Sequence, residues 1–220
     1  VLSLWHDCRE AASEDPASAR IPSEEELKAA AQHTGFGLLE IDTDNNTLRL
    51  TDAEASLDVG ALGKGYAAEM AAEHLMSVGA KSYVLNIGGN IRIIGAKLDG
   101  SGWNTGIRDP KDPDGSFAVN LNIKDTACVT SGTYERYFMV DGVKYHHIID
   151  KDTLYPANYF ESLTIVTPDS GLADALSTAL FCMSYEEGLE LAENLGVDAL
   201  WIFPDGEIKY TPGLEERIVK

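Results

Sequence analysis

The sequence predicts an α+β fold, a mixed and largely antiparallel sheet with flanking helices, forming a single domain over residues 1–220. Three observations predict it. Short β-branched runs recur between turn signals, capped helical periodicities are interspersed among them, and no internal repeat or low-complexity segment interrupts the pattern. A chain of 220 residues can bury a sizeable core, and that length is ordinary for one α+β domain.

Residues 1–22 mix charge, Ala and Pro ("DPASARIP") and are expected to form a loop. In "PSEEELKAAAQH", Ser23 is followed three residues later by Glu26, a capping-box start, so a helix is expected to run from there to near Gly35. "FGLLEID" and "TLRL" flank "DTDNN" and predict a hairpin with Asn45 and Asn46 in its turn. From Gly65 to Gly79, the residues Tyr66, Ala67, Met70, Ala71, His74 and Leu75 recur at helical spacing and predict an amphipathic helix stopped by glycine. Two β-branched runs broken by Gly88 and Gly89 follow in "SYVLNIGGNIRIIG". Short strands are then predicted in "WNTGIRDP", "FAVNLNI", "TACVTSG", "ERYFMV" and "KYHHIID", with "DPDGS" and "DGV" as turns. After "LTIVTP", two helices ("GLADALSTALFCM", "YEEGLELAENLG") precede a last strand pair in "DALWIFPDGEIKY".

Charge and composition exclude several classes of function. With 36 acidic against 17 basic side chains and a formal charge of −19, the chain is unsuited to nucleic acid held by phosphate neutralisation. An anionic small-molecule ligand would need a local cation. Cys8, Cys128 and Cys182 lie far apart without C-x-x-C spacing, which argues against a zinc site or a disulfide framework. No apolar run is long enough to span a membrane as a helix, and "VLSLWHDCRE" lacks the basic and apolar regions of a signal peptide. The first residue is not Met, so a processed or truncated piece is expected.

Four stretches can carry chemistry. In "LDVGALGKGYAAEM", Asp58 and Lys64 flank a glycine-rich turn that opens a helix. Such a turn can admit a phosphate, and it can equally be a tight turn with a solvated lysine. In "ADALSTALF", Asp174 and Thr178 share a helix face with Ser177 beside them, a set of hard oxygens suited to Mg²⁺. The alternative is an Asp placed early in its helix by the dipole, with a Thr bonding back to the backbone. In "YHHIID", the rings of His146 and His147 face opposite sides of a strand, so at most one can enter a given site and take a proton there. In "TSGTYERYF", Ser131 and Gly132 are expected to turn the chain before a strand that places Tyr134, Arg136 and Phe138 on one face. Arg136 there suits a phosphate, a carboxylate or a buried ion pair.

Taken in order, "LDVGALGKGYAAEM", "NIGGNIRIIG", "IRDP", "TSGTYERYF", "YHHIID" and "ADALSTALF" resemble the ApbE-type FAD:protein FMN transferases over almost the whole chain. The resemblance implies Mg²⁺-dependent transfer of FMN from FAD to a threonine hydroxyl of a target protein, with release of AMP. It implies Asp58, Lys64 and Ile148 as FAD-site residues, and Asp174, Thr178, Ser177 and the carbonyl of Ala61 as metal ligands. His147 is implied as the acceptor of the threonine proton. Thr133 stands where relatives usually carry an acidic or amide residue, and Lys151 where "IIDP" is usual. The family's domain also starts well before a segment like "LSLW", with a D-x-T motif and flavin-holding aromatic or Met residues, so the chain is expected to lack the N-terminal part of that domain. The resemblance further implies a membrane redox subunit as acceptor and an exported or lipid-anchored protein of the bacterial cell envelope. The same residues would serve an FAD pyrophosphatase, with water replacing threonine, or a flavin-binding protein without turnover.

Overall fold

A helix, α1 (Leu2–Glu14), opens the chain where the mixed composition predicted a loop. Its buried residues are Trp5, Cys8 and Ala12, a narrow apolar stripe at helical spacing. The charged residues around that stripe face solvent and diluted its signal. This computed structural model describes residues 1–112 and 115–219. Pro113 and Asp114, part of the expected "DPDGS" turn, lie outside the described residues, as does Lys220.

The elements that follow α1 are α2 (Glu24–Ala31), β1 (Leu39–Asp42), β2 (Thr47–Leu50), α3 (Gly63–Ser77), β3 (Tyr83–Ile87), β4 (Asn90–Ile94), β5 (Trp103–Arg108), β6 (Phe117–Ile123), β7 (Ala127–Gly132), β8 (Tyr137–Val140), β9 (Val143–His146), β10 (Ser162–Thr167), α4 (Ser170–Ala179), α5 (Tyr185–Leu195), β11 (Asp198–Ile202) and β12 (Ile208–Tyr210). Every strand pair among them is antiparallel. The chain divides into two compact units, one of Val1–Asp58 and Arg136–Pro156, the other of Val59–Glu135 and Ala157–Lys220.

The first unit packs α1, α2 and the β8–β9 hairpin around Trp5, Cys8, Ala12, Leu27 and Phe138. The Trp5 ring stacks on Tyr145 at 5.7 Å and meets the edge of Tyr155 at 5.4 Å, while its N–H donates to the Leu154 carbonyl at 2.8 Å. Ser23 and Glu26 form the expected capping box, but α2 ends at Ala31, short of Gly35. β1 and β2 pair as expected around a turn in which Asn46 takes a φ of 52°, a conformation that Asn tolerates.

The second unit is built on a six-stranded sheet in the order β12-β11-β10-β7-β4-β3. One face carries Ile93, Cys128, Val166, Leu200 and Ile202, which pack against Ile107, Leu121 and Ile123 of the β5–β6 ribbon. The opposite face, one residue out of phase, carries Arg92, Ser131, Leu163 and Trp201. Arg92 and Ser131 bond to α3 and α4 respectively, and Trp201 meets Tyr185 of α5 edge-on at 5.2 Å. The sheet is therefore buried on both sides, and all six residues of β10 are buried. Gly88 and Gly89, with φ of 57° and 92°, make the β3–β4 turn, where a side chain would strain the backbone.

Two local expectations are corrected. The predicted apolar face of α3 is not its buried face. Gly65, Ala68 and Ala72 are buried, while Tyr66 is 60% exposed and Met70 39%, because close helix packing selects small residues. Ser131 and Gly132 end strand β7, and the turn falls at residues 133–136, so Tyr134 and Arg136 share no strand face. Arg136 is exposed and not buried in an ion pair. Among the described residues no helix is long and apolar enough to cross a membrane.

Candidate functional site

The helices α3 and α4 touch where α3 begins, and Gly65 is the reason they can. A Cβ on Gly65 would overlap the carbonyl oxygen of Ser170 and the Cβ of Asp174, both on α4. This close approach brings the Asp174 carboxylate onto the N-terminus of α3. The Gly65 N–H, which a continuing helix would direct to the Ala61 carbonyl, donates instead to Asp174 Oδ2 at 2.8 Å. Gly63 and Tyr66 donate to the carbonyls of Val59 and Leu62, at 2.8 and 3.0 Å. The anion held by this glycine-rich helix start is thus the protein's own carboxylate. α4 has a separate N-cap, Asp169, whose side chain accepts from the Leu172 N–H, so Asp174 serves α3 and not the start of its own helix.

Asp174 is 3% exposed, and burial of a charge demands compensation. Three groups supply it. The Gly65 N–H bonds it directly, the positive end of the α3 dipole faces it, and Lys64 Nζ stands 3.6 Å from its Oδ1. The Lys64 side chain is 42% exposed and lies beside the β3–β4 turn, where a Cβ on Gly88 would be 3.6 Å from its Cδ. Further along α4, the same helix as Asp174, lie hydroxyls. Ser131 Oγ bonds Ser177 Oγ at 2.9 Å and reaches Thr178 Oγ1 at 3.5 Å, while Ser177 Oγ donates to the Asp174 carbonyl at 2.9 Å. Lys64, Asp174, Ser177 and Thr178 therefore come together, and Ala61 lies in the turn leading into α3. Carboxylate, hydroxyl and carbonyl oxygens of these kinds are the hard donors Mg²⁺ accepts. No group of three or more His, Cys, Asp or Glu suited to a metal occurs among the described residues.

Sequence reasoning missed two members of this cluster. The sequence places Ser131 in a turn, although a polar residue two positions after Val129, on the same face of an apolar run, marks a strand face with something to bond. Glu69, one helical turn beyond Gly65, binds Arg92 Nε at 3.0 Å and the Ser170 N–H at 2.7 Å through Oε2.

The first unit contains the other candidates. His147 follows β9 directly, and its backbone N–H extends the ladder to the Arg136 carbonyl at 3.1 Å. Its Nδ1 lies 3.3 Å from the same carbonyl, and a carbonyl can only accept. Nδ1 therefore carries the proton and Nε2 is left with its lone pair. Burial pushes the His147 pKa down to about 4, so the ring is neutral at physiological pH. His146 is 6% exposed, and its Nδ1 accepts the Ile148 N–H at 3.2 Å. One ring is engaged with its own backbone and the other offers a basic nitrogen. The Ile148 side chain is buried, at 4% exposure, and Asp58 is exposed at the end of this unit's loop.

The model of the ApbE family matches residues 1–201. The chain is similar to a FAD:protein FMN transferase from Treponema pallidum, 36% identical over 215 residues that cover 91% of this chain and 59% of that protein. It is also similar to one from Vibrio cholerae, 36% identical over 183 residues, 83% of this chain and 54% of that protein. The chain thus spans little more than half the length of these curated relatives. Among solved structures, the ApbE protein of Thermotoga maritima superposes with a TM-score of 0.86 at 33% identity, covering 99% of this chain and 71% of that one. The flavin transferase ApbE from Vibrio cholerae gives a TM-score of 0.77 at 32% identity, covering 90% and 63%.

Proposed function

The chain belongs to the ApbE family, and from that premise we propose that it moves the FMN half of FAD onto a threonine hydroxyl of a target protein and releases AMP, with Mg²⁺ as cofactor. The observation that carries this reading is the buried Asp174 carboxylate with Lys64 beside it, on the same helix as the Ser177 and Thr178 hydroxyls that meet Ser131. Asp174, Thr178, Ser177 and the Ala61 carbonyl would hold the cation. That carbonyl fits the role because the Gly65 N–H, its ordinary helical partner, is taken by Asp174. When bound, Mg²⁺ supplies charge neutralisation at the pyrophosphate and at the leaving AMP oxygen. Lys64 adds a cation for the FAD phosphates in a chain of net charge −19, and Asp58 and Ile148 contribute to FAD binding.

In the transfer, the acceptor oxygen forms a bond to the FMN phosphorus as the bond from that phosphorus to the AMP oxygen breaks. His147 Nε2 takes the hydroxyl proton. The Arg136 carbonyl fixes the tautomer that makes this possible, and the lowered pKa keeps the ring unprotonated before the reaction. The acceptor is a protein with a threonine-containing motif, and a membrane redox subunit fits that description.

Incubation of the chain with FAD, Mg²⁺ and a threonine-containing acceptor peptide tests the reading. The expected result is a peptide heavier by one FMN unit, with one AMP released per label. AMP formed at the same rate without acceptor would instead identify an FAD pyrophosphatase. Retention of FAD without AMP would identify a flavin-binding protein.

A further inference from the structure

The Glu69 side chain is 13% exposed, the proposed chemistry leaves it unused, and its bonds are unusually complete. Oε1 and Oε2 accept from Arg92 Nε at 3.2 and 3.0 Å, and Oε1 accepts from Arg92 Nη2 at 3.1 Å. Oε2 also accepts the backbone N–H of Ser170, the first residue of α4, at 2.7 Å. Arg92 is itself buried on β4 and its third nitrogen, Nη1, donates to the Ile93 carbonyl at 2.6 Å. A buried ion pair of this kind is costly to assemble and strongly destabilising to break, so it specifies one arrangement of the elements it joins.

The elements joined here are those that orient Asp174. Gly65 and Glu69 are four residues apart on α3, and Ser170 and Asp174 are four apart on α4. The bonds pair them crosswise. Gly65 binds Asp174 and Glu69 binds Ser170, so two rungs, one helical turn apart, fix the register of the helices. The absent Cβ of Gly65 lets the helices close to that register, and a slide of either helix along the other would break both rungs. Arg92 anchors the second rung to the sheet through a bidentate grip.

We infer that Glu69, held by Arg92, is a positioning residue that sets α4 against α3 and thereby aims the Asp174 carboxylate. Its consequence for catalysis rests on the reading of Asp174 as a cation ligand. Its consequence for structure does not. The two are separated by measuring amide exchange of Gly65 and FMN transfer on the same proteins, wild type, Glu69→Ala and Glu69→Gln. Gln keeps an oxygen for the Ser170 N–H and loses the charge on Arg92. Glu69→Ala is expected to speed Gly65 exchange on the order of tenfold more than that of the core amides of Val166 and Leu200, with Glu69→Gln between it and wild type and those core amides unaffected in Glu69→Gln. Transfer is expected to fall by a similar factor in kcat, with KM for FAD unchanged. Unchanged Gly65 exchange in both variants overturns the positioning role whatever the activity. Loss of protection at Val166 and Leu200 together with Gly65 in Glu69→Gln also overturns it, because Glu69 would then serve global stability alone. Faster Gly65 exchange with undiminished transfer, or with no transfer in wild type, upholds the register role and defeats the reading of Asp174.

Discussion

Asp174 and His147 are both withdrawn from water, yet the fold compensates the first and leaves the second uncompensated. Asp174, at 3% exposure, has an N–H donor, a helix dipole and Lys64 around it. His147 has only the Arg136 carbonyl, and the nearby cationic groups of Arg136 and Arg9 add to burial in lowering its pKa to about 4. One environment presents donors and a cation, and the other favours a neutral ring at rest. The difference assigns the residues to different tasks, since a cation ligand must be anionic and a proton acceptor must start neutral.

The largest expected effect comes from removing the Asp174 carboxylate. Asp174→Ala should abolish Mg²⁺-dependent transfer while the fold persists, with a loss of about 1–3 kcal/mol because the Gly65 N–H and Lys64 are left unpartnered. Asp174→Asn keeps an acceptor for Gly65 and should lose transfer with a smaller drop in melting temperature. Full activity of either variant at limiting Mg²⁺ would remove Asp174 from the site. Next is the uncharged partner of the comparison. His147→Ala should lower the transfer rate by about 10²–10⁴-fold with FAD affinity retained, and His146→Ala should not, since the His146 Nδ1 already accepts the Ile148 N–H. A larger rate loss in His146→Ala would reverse the assignment.

Lys64 gives a smaller change. Lys64→Ala should weaken FAD binding more than it lowers stability, because the side chain is 42% exposed and Asp174 keeps its bond from the Gly65 N–H. A fall in melting temperature with an unchanged FAD dissociation constant would make Lys64 structural. The last test compares two histidines of the first unit by NMR titration. His33 Nδ1 lies 2.7 Å from Asp52 Oδ2, and this bond raises its pKa above 6.5, whereas His147 should titrate near 4. The sign for stability follows. Folded His147 resists protonation that the unfolded chain accepts near 6.5, so its contribution is intact above that pH and is lost as pH falls towards about 4, by at most about 3 kcal/mol. His33 acts oppositely, its contribution being present at low pH and lost as pH rises through its raised pKa. The acid limb of the transfer rate should likewise fall near 4 and not near 6.5. A His147 pKa at 6.5 would mean the ring is solvated and the contrast with Asp174 is false.

The hairpin turns after β1 and β3 and the start of α2 were legible from the sequence because their causes are local. Asn46, Gly88 and Gly89 tolerate positive φ, and Ser23 with Glu26 satisfies free N–H groups within one turn of helix. The pairing of Asp174 with Thr178 on one helix was legible for the same reason, being set by helical period. α1 was not, because its stripe of Trp5, Cys8 and Ala12 becomes apolar only when Phe138 and Tyr145, distant in sequence, pack against it. The buried face of α3 was misread because periodicity favours large apolar residues, whereas the contact with α4 required the smallest. By itself the sequence determined most of the elements after α1, the largely antiparallel sheet and the residue types of the candidate site. Only the tertiary structure decided that Asp174 caps α3, that Ser131 and Glu69 join the α3–α4 contact, and which nitrogen of His147 is basic. Those outcomes depend on groups as far apart as Gly65 and Asp174, whose meeting is fixed by helix packing and burial and not by any pattern along the chain.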